Sequence, residues 1–238
     1  MPALAPALAA LRRGPSLPSQ CEVCRSWAGE RLCSDCVSRF TPARWRCGRC
    51  ALRLGAAQPL CGQCLNEPAP QQRTVCVADY DFPWDRLIAD FKFQGDVELA
   101  AVLARRLDAA LTATNAPAPD IVLPVPLAPA RLAERGYNQA WELARRVARV
   151  RALPARADVL LRPLATPHQA GLSRAQRLAN LRAAFMVDPR RRDAIAGRQV
   201  ALVDDVMTTG ATAAEATRTL LRAGAAAVDV WVLARTPE

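Results

Sequence analysis

The sequence predicts an α/β domain built on a parallel sheet and preceded by a small cysteine-rich domain. Residues 200–203 form a continuous apolar run, which is typical of a parallel strand covered on both faces, and 228–233 is a second β-rich run. Between them, 213–223 has the pattern of a helix, which Gly224 ends. Eight of the nine cysteines form C-x-x-C pairs near the N-terminus. With 238 residues, the chain is long enough for one sizeable core and a small appendage.

The composition is that of a soluble globular protein. It contains 51% hydrophobic and 23% charged residues, and no apolar run approaches the ~20 residues that span a bilayer. Arg12 and Arg13 follow the apolar part of the N-terminus, which is the wrong order for a signal peptide. We therefore expect a cytoplasmic protein without membrane insertion. The net charge of +10 comes with interspersed acidic residues, and its densest basic cluster, 190–192, is interpreted as a solvated turn.

The four C-x-x-C pairs are a strong metal-binding signal. Each knuckle turns two thiolates toward one ion, and two knuckles complete a tetrahedral Cys₄ zinc site. We predict about two structural zinc ions, because a segment with so few large apolar residues needs a metal to fold. The predicted ligands are Cys21, Cys24, Cys33, Cys36, Cys47, Cys50, Cys61 and Cys64.

The spacing leaves the grouping of the knuckles open. The simplest arrangement is two ribbons in tandem, and an interleaved arrangement is the alternative. Disulfides, iron–sulfur ligation and redox chemistry are weaker alternatives in a chain without an export signal. Trp27, Phe40 and Trp45 are expected to pack against the knuckles, with contact to nucleic acid as the alternative.

Composition also suggests four segments. We expect a loose N-terminus over residues 1–20 and a double zinc ribbon over 21–65. A polar, proline-rich linker is expected over 66–73, and the α/β domain over 74–238.

The first half of the α/β domain contains two helix patterns and one interrupted strand. The apolar spacing from Trp84 to Phe91 predicts a helix, a turn follows, and the next helix is expected at 98–111. The strand that begins at Asp120 is broken by Pro124 and Pro126 at the carboxyl edge of the sheet, where ligands of α/β sheets bind.

A basic loop precedes the next predicted helix, 139–150. A glycine-containing basic loop that opens a helix suits pyrophosphate, with surface salt bridges as the alternative role of its arginines. The candidate residues are Arg131, Arg135, Gly136 and Asn138.

The segment 162–180 combines turn signals with basic residues and is too polar for a core. We interpret it as a mobile lid. His168, the one histidine, is interpreted as an ordinary loop residue, with acid–base chemistry as the alternative. The candidate lid residues are Arg162, Gln169, Arg177 and Asn180.

The most informative stretch follows the strand at 200–203. Two adjacent carboxylates come first, and a Thr-Thr-Gly-x-Thr loop leads into the helix. The glycine lets the backbone approach an anion, the hydroxyls donate to phosphate oxygens, and the helix start supplies N–H groups. The carboxylates repel phosphate, so they are expected to face sugar hydroxyls or a divalent cation. A ribose 5-phosphate offers hydroxyls to the carboxylates and a phosphate to the loop. The candidate residues are Asp204, Asp205, Val206, Met207, Thr208, Thr209, Gly210, Ala211 and Thr212.

This loop is neither a Walker A sequence nor a dinucleotide-binding turn. It resembles the phosphoribosyl pyrophosphate (PRPP) signature of type I phosphoribosyltransferases. The chain as a whole resembles the ComF/GntX family through the double zinc ribbon, the signature loop and four further features. These are Phe91–Asp96, Pro124–Pro126, Glu134–Ala140, and Gln169 with Arg177 and Asn180.

The resemblance implies a type I phosphoribosyltransferase fold and a role, in some bacteria, in DNA uptake during natural competence. We expect an enzyme or binding module for PRPP with Mg²⁺, whose acceptor the motif does not encode. In this hypothesis Asp204 and Asp205 are catalytic and hold the ribose hydroxyls or their Mg²⁺. The 208–212 loop then binds the 5′-phosphate, and Arg135 binds the pyrophosphate.

The alternative is a non-catalytic protein that handles single-stranded DNA through its zinc ribbons and contacts proteins of the competence machinery. The PRPP fold then serves as a sensor or scaffold. Binding through phosphates predicts an affinity that falls steeply with salt.

Lys92 is the one lysine among 32 basic residues. If coding bias has replaced lysine by arginine wherever either is tolerated, a remaining lysine indicates a position where a planar guanidinium does not serve as well as a compact ammonium. We predict that its ammonium reaches the PRPP site or an acidic partner at its border, while Phe91 and Phe93 anchor the turn in the core. A chance surface survivor is the alternative.

Overall fold

The computed structural model describes residues 18–93, 95–163 and 184–237. The contacts between Cα atoms divide the chain into two compact units, one ending at Pro42 and the other beginning at Ala43. This division differs from the predicted linker at 66–73, because the second pair of cysteine knuckles belongs to the larger unit. No helix in these described ranges is long and apolar enough to cross a membrane.

The smaller unit holds the first four ligand cysteines on very short elements. Strands β1 (Ser19–Gln20) and β2 (Trp27–Ala28) pair antiparallel, and helix α1 covers Ser34–Phe40. The Sγ atom of Cys33 caps α1 by accepting a hydrogen bond from the backbone N–H of Cys36. Trp27 is 71% exposed, so the prediction that it packs against a knuckle is wrong.

The larger unit begins with the other four ligand cysteines and helix α2 (Gly62–Asn66). Cys61 caps this helix in the same way that Cys33 caps α1, with its Sγ accepting from the N–H of Cys64. Cys47, Cys61 and Cys64 form a small core with Leu54. Trp45 is 60% exposed, so it too lies outside this core, contrary to the prediction.

The rest of the larger unit is an α/β fold on a four-stranded sheet of order β3-β8-β7-β4, in which every neighbouring pair is parallel. A separate antiparallel pair joins β5 and β6. The strands are β3 (Arg73–Asp79), β4 (Ile121–Pro124), β5 (Leu160–Leu161), β6 (Met186–Val187), β7 (Gln199–Met207) and β8 (Ala227–Arg235). The helices are α3 (Trp84–Phe93), α4 (Leu99–Ala113), α5 (Pro129–Arg135), α6 (Gln139–Val150) and α7 (Ala211–Arg222).

The helices cover the sheet. Helices α4 and α6 pack against each other and against the strands, and α7 packs over β7 and β8. The alternating strand residues Val200 and Leu202 share one apolar cluster with Ala216 and Leu220 of α7. Burial on both faces explains the continuous apolar run at 200–203, which predicts a parallel strand.

The register of β7 decides where the carboxylates lie. Its pairing with β4 stops at Val203, opposite Pro124, whereas its pairing with β8 continues to Met207, opposite Arg235. The strand therefore runs beyond the predicted end at Val203. Asp204 and Asp205 therefore lie within β7 and not in a loop. They lie in its last residues, beyond the point where β4 ends, and there β7 pairs with β8 alone.

The second pair of knuckles covers the outer edge of β3. The carbonyl of Gly48 accepts a hydrogen bond from the N–H of Thr74 at 2.9 Å, and the carbonyl of Arg49 accepts one from the Thr74 hydroxyl at 2.6 Å. Arg46 pairs with Asp79 at the other end of β3, with 2.7 Å between Nη1 and Oδ1. An unpaired strand edge is thus satisfied by the metal-binding segment.

Candidate functional site

The two carboxylates at the end of β7 are held differently. The Oδ1 of Asp204 accepts from the N–H of Asp205 at 2.9 Å, and the Oδ1 of Asp205 accepts from the N–H of Val206 at 2.7 Å. Asp205 is buried, and its Oδ2 lies 3.1 Å from the ammonium of Lys92. Asp204 is half-buried. One carboxylate is thus neutralised within the protein, and its neighbour is not.

The surroundings of Asp204 raise its pKa to about 7. Burial is the largest cause and the adjacent Asp205 carboxylate the next, while the positive charges of Lys92 and Arg162 act in the opposite direction. A carboxyl group with a pKa near neutrality can release its proton to solvent when a cation or a hydroxyl-rich ligand binds to its oxygens.

The ion pair between Lys92 and Asp205 is the acidic contact that the sequence predicted for this lysine. Phe91 is fully buried, as predicted. Phe93 is not an anchor, since it is 68% exposed and carries the guanidinium of Arg135 at 4.8 Å from its ring centroid. The two phenylalanines lie two positions apart on α3, and this spacing places them on different sides of a helix.

Tyr137 is a site residue that sequence reasoning missed. Its hydroxyl donates to the carbonyl of Phe91, and the two rings lie 6.0 Å apart. This bond fastens the residue next to Lys92, so Tyr137 positions the lysine that neutralises Asp205. The motif that contains Tyr137 is visible in the sequence, but its partner Phe91 lies 46 residues away in the chain.

Asn138 acts within the fold. Its Oδ1 accepts from the N–H groups of Ala140 and Trp141 as the N-cap of α6, and its Nδ2 donates to the carbonyl of Val125 at 3.1 Å. Gly136 ends α5 in the left-handed region with φ of 77°. These two residues join α5, α6 and the end of β4, which is a structural use of residues predicted to lie along a substrate loop.

The two predicted pyrophosphate arginines are in the helix α5, not in a loop. Arg131 is exposed, and Arg135 is half-buried over Phe93. Proline at the first position of α5 starts this helix, which the sequence analysis does not predict.

The Thr-rich segment forms the turn between β7 and α7. Gly210 has φ of 78°, a conformation that favours glycine, and it is the N-cap residue of the helix. The side chains of Thr208 and Thr209 are exposed, and the hydroxyl of Thr209 accepts weakly from the N–H of Ala211 at 3.4 Å. Exposed hydroxyls at the start of a 12-residue helix form a site suited to an anion.

Among the predicted lid residues, Arg162 lies in the described part of the chain. Its guanidinium is 5.4 Å from the ring centroid of Phe185, and its charge acts on Asp204. Burial lowers the pKa of Arg162, and the charge of Asp204 opposes this shift. Gln169, Arg177, Asn180 and His168 lie outside the described residues.

The eight predicted metal ligands form two groups in tandem. Within each group the four Sγ atoms lie within 4.8 Å of one another. The Sγ atoms of Cys24 and Cys33 are 3.7 Å apart, and those of Cys50 and Cys61 are 3.6 Å apart. A tetrahedral zinc site with bonds of about 2.3 Å requires a separation of ~3.8 Å. Both groups therefore fit zinc, and the interleaved alternative is wrong. Their members are Cys21, Cys24, Cys33 and Cys36, then Cys47, Cys50, Cys61 and Cys64.

The other cysteine, Cys76, lies in β3 and outside both groups. Arg190, Arg191 and Arg192 lie on an exposed 3-10 helix, in agreement with the predicted solvated turn. Arg191 pairs there with Asp158 at 2.9 Å.

The sheet, the carboxylates at its edge and the preceding Cys₄ groups define the class of protein. It has a type I phosphoribosyltransferase fold preceded by a double zinc ribbon. No family model matches the chain. Comparison with curated proteins identifies its family directly.

The chain is 36% identical over 231 residues to the DNA utilization protein YhgH of Escherichia coli (strain K12), covering 93% of this chain and 99% of that protein. It is 34% identical over 208 residues to competence protein F of Haemophilus influenzae, covering 86% and 90%. To competence protein ComFC of Bacillus subtilis it is 29% identical, covering 70% and 65%. The chain belongs to the ComF/GntX family.

Solved structures show similarity over part of the chain. The glutamine PRPP amidotransferase from B. subtilis is 21% identical with a TM-score of 0.39, covering 56% of this chain and 26% of that one. A hypoxanthine phosphoribosyltransferase from Trypanosoma cruzi is 14% identical with a TM-score of 0.35, covering 58% and 72%. Similarities at these TM-scores carry no argument about ligand or reaction.

Proposed function

We propose that this protein binds PRPP together with Mg²⁺ and acts as a phosphoribosyltransferase with PRPP as its substrate. It is then a glycosyltransferase-type enzyme of the cytoplasm. The observation that carries the proposal is the arrangement at the end of β7. A carboxylate neutralised by Lys92 lies beside a carboxyl group whose pKa is about 7, and both directly precede a Thr-rich helix start. A sugar that carries a 5′-phosphate needs both kinds of group within a few ångströms.

The roles follow from charge. Asp204, once ionised, accepts hydrogen bonds from the ribose hydroxyls or contacts their Mg²⁺, and Asp205 holds its neighbour and Lys92 in place. The exposed hydroxyls and N–H groups of the 208–212 turn bind the 5′-phosphate. In phosphoribosyl transfer the transition state has oxocarbenium character, so the protein must orient the ribose and stabilise the departing pyrophosphate. Arg131, Arg135 and Arg162 supply positive charge for that purpose.

Calorimetric titration with PRPP and Mg²⁺ tests the binding. We expect Asp204→Asn to lower the affinity at least ~tenfold, because one charge-assisted contact contributes about 1.5–3 kcal/mol. The matched control is Asp193→Asn, an exposed carboxylate before the amino end of β7. Failure of the folded wild-type protein to bind PRPP refutes the proposal.

Lys92 offers a second test of the same site. Lys92→Ala leaves the buried Asp205 without its ammonium, so we expect lower thermal stability and weaker PRPP binding. Lys92→Arg keeps the charge but not the compact shape, and we expect it to recover only part of both losses. Wild-type behaviour of Lys92→Arg in both assays contradicts the role assigned to a compact ammonium.

The pKa of Asp204 gives this site a pH dependence with a definite sign. Because the pKa is raised in the folded state to about 7, the folded protein binds more protons than the unfolded chain between about pH 4 and pH 7. Its stability therefore falls as the pH rises through that window, while PRPP affinity that needs ionised Asp204 increases. Thermal melts and titrations of wild type and Asp204→Asn across pH 5–8 test both, and the variant is expected to lose both trends.

Turnover requires an acceptor. Pyrophosphate release that depends on PRPP, screened against nucleobases, amines and nucleic acids, identifies it. Binding of PRPP without release in any of these reactions restricts the protein to a sensor or scaffold role.

Handling of single-stranded DNA is a second candidate function, with competence-machinery proteins as further partners. It is favoured by an open cavity of about 530 Å³ beside the second Cys₄ group. The residues that line this cavity include Trp45, Arg44 and Arg53. An exposed indole in a cavity that two arginines also line suits a base and its phosphates. Binding of an oligothymidine that weakens steeply with salt and is reduced by Trp45→Ala supports it. Trp27→Ala, in the smaller unit, is the matched control, and equal losses for both variants contradict a site at Trp45.

A further inference from the structure

Arg235, the last residue of β8, makes hydrogen bonds both to a residue of the second Cys₄ group and to the turn at 208–212. Its side chain is buried, with 3% of the residue exposed. Nε donates to the carbonyl of Cys50 at 3.1 Å, and Nη1 donates to the carbonyl of Thr208. Nη1 also donates to the carbonyl of Thr236 at 2.6 Å. One rigid guanidinium thus joins a metal-ligand residue to the turn that we assign to phosphate.

Both ends of this connection are fixed by further contacts. The Sγ of Cys50 belongs to the second Cys₄ group, so a metal there restrains the same residue whose carbonyl Arg235 holds. On the other side, the N–H of Thr236 donates to the carbonyl of Met207 at 3.0 Å, directly before Thr208. Charged donors to buried carbonyls are among the stronger hydrogen bonds, and the planar fork fixes the angle between its acceptors.

We propose that Arg235 is a positioning residue that couples metal binding at the second Cys₄ group to ligand binding at the 208–212 turn. The ligand half of this inference rests on the proposed function. Coupling between two sites is reciprocal in binding free energy, so metal at Cys47, Cys50, Cys61 and Cys64 strengthens ligand binding in the turn, and ligand strengthens metal binding by the same factor. We expect the tighter metal binding to be seen as slower metal loss. The first Cys₄ group belongs to the other compact unit and takes no part.

Metal retention without ligand tests the role of Arg235 independently of the proposed function. Zinc release from the full-length protein to a chromogenic chelator is followed in wild type and Arg235→Lys, with Arg235→Gln as a second replacement. The phase that disappears in Cys24→Ser belongs to the first group. We expect release from the second group to accelerate about fivefold or more in the Arg235 variants, with the first-group rate unchanged. Folded variants that release both metals at wild-type rates overturn the inference.

The reciprocal test uses wild type alone and therefore does not depend on how a variant folds. PRPP with Mg²⁺ is added at saturation, as judged by calorimetry, and zinc release is measured again. We expect the second phase to slow about fivefold, the first phase to keep its rate, and Arg235→Lys to lose most of the protection. If wild type binds PRPP but both phases keep their ligand-free rates, the coupling is overturned and the proposed function stands. If calorimetry detects no PRPP binding, the proposed function fails, and the ligand-free comparison decides the role of Arg235.

Discussion

The two Cys₄ groups have the same C-x-x-C knuckles but differ in what surrounds them. The first lies in a small unit of two-residue strands and one short helix, and its Cys24 is exposed. In the second, no cysteine is exposed, and three consecutive carbonyls, those of Gly48, Arg49 and Cys50, accept hydrogen bonds from β3 and β8 residues. The same metal-binding motif is an appendage in one case and part of the α/β fold in the other.

Removing one ligand from each group is the strongest test of this difference. Cys33 and Cys61 are matched, because each caps a helix and accepts from the N–H three residues later. We expect Cys61→Ser to lower the stability of the larger unit by roughly 5 kcal/mol or more, since structural zinc contributes on the order of the whole stability of a domain. Cys33→Ser should leave the main thermal transition in place. If calorimetry records equal losses of stability for Cys33→Ser and Cys61→Ser, the two Cys₄ groups do not differ in their contribution to the α/β fold.

Truncation at two points sharpens the same comparison. A chain that begins at Ala43 keeps the second Cys₄ group and should fold with a wild-type main transition. A chain that begins at Arg73 loses the segment that covers the edge of β3, and an unprotected strand edge favours association. We expect it to aggregate or to elute as oligomers in size-exclusion chromatography. A monomeric, cooperatively folded product would show that the second group is dispensable.

Breaking one ion pair in each unit is expected to change the thermal stability by a smaller amount. Arg46 pairs with Asp79 of β3 at 2.7 Å, and both side chains are largely buried. Arg46→Met should cost about 2 kcal/mol, or roughly 4–8 °C in the main transition. Arg31, which pairs with Glu22 at 2.6 Å in the smaller unit, is the control, and Arg31→Met should leave that transition unchanged. A shift as large in Arg31→Met as in Arg46→Met speaks against the assignment.

The smallest expected effect concerns one hydroxyl. Thr74→Val removes the 2.6 Å hydrogen bond to the carbonyl of Arg49, which keeps a second donor in Gln71 at 3.0 Å. We expect a loss of about 1 kcal/mol, or ~2–4 °C, in the main transition. Thr41→Val, which removes a hydroxyl bond to the carbonyl of Val37 in the smaller unit, is the control. The knuckle does not depend on this bond if thermal melts of Thr74→Val and wild type coincide.

Sequence reasoning was most accurate where the determinants are local. Helix α6 begins and ends at the predicted residues, because Asn138 caps it and its apolar face repeats regularly. The tandem Cys₄ groups were the simplest of the predicted arrangements. Lys92 was singled out through its rarity, and it pairs with Asp205.

Other predictions failed because they concern which face a side chain occupies. Trp27, Trp45 and Phe93 are large apolar residues that the structure leaves exposed. Hydrophobicity predicts that such residues tend to be buried, but burial depends on whether a neighbouring element is present on that side. The linker at 66–73 stays a prediction; one of its residues, Gln71, is buried and donates a hydrogen bond to the carbonyl of Arg49.

The sequence by itself determined the family, the parallel α/β fold, the eight thiolates and the carboxylate pair before a Thr-rich turn, because each depends on residue type and short spacing. Tertiary structure alone decided which contacts join them. Tyr137 reaches Phe91 across 46 residues, and Arg235 reaches Cys50 across 185. Neither residue has a local pattern that specifies its partner, since a hydroxyl or a guanidinium finds its acceptors only after strands and helices have packed.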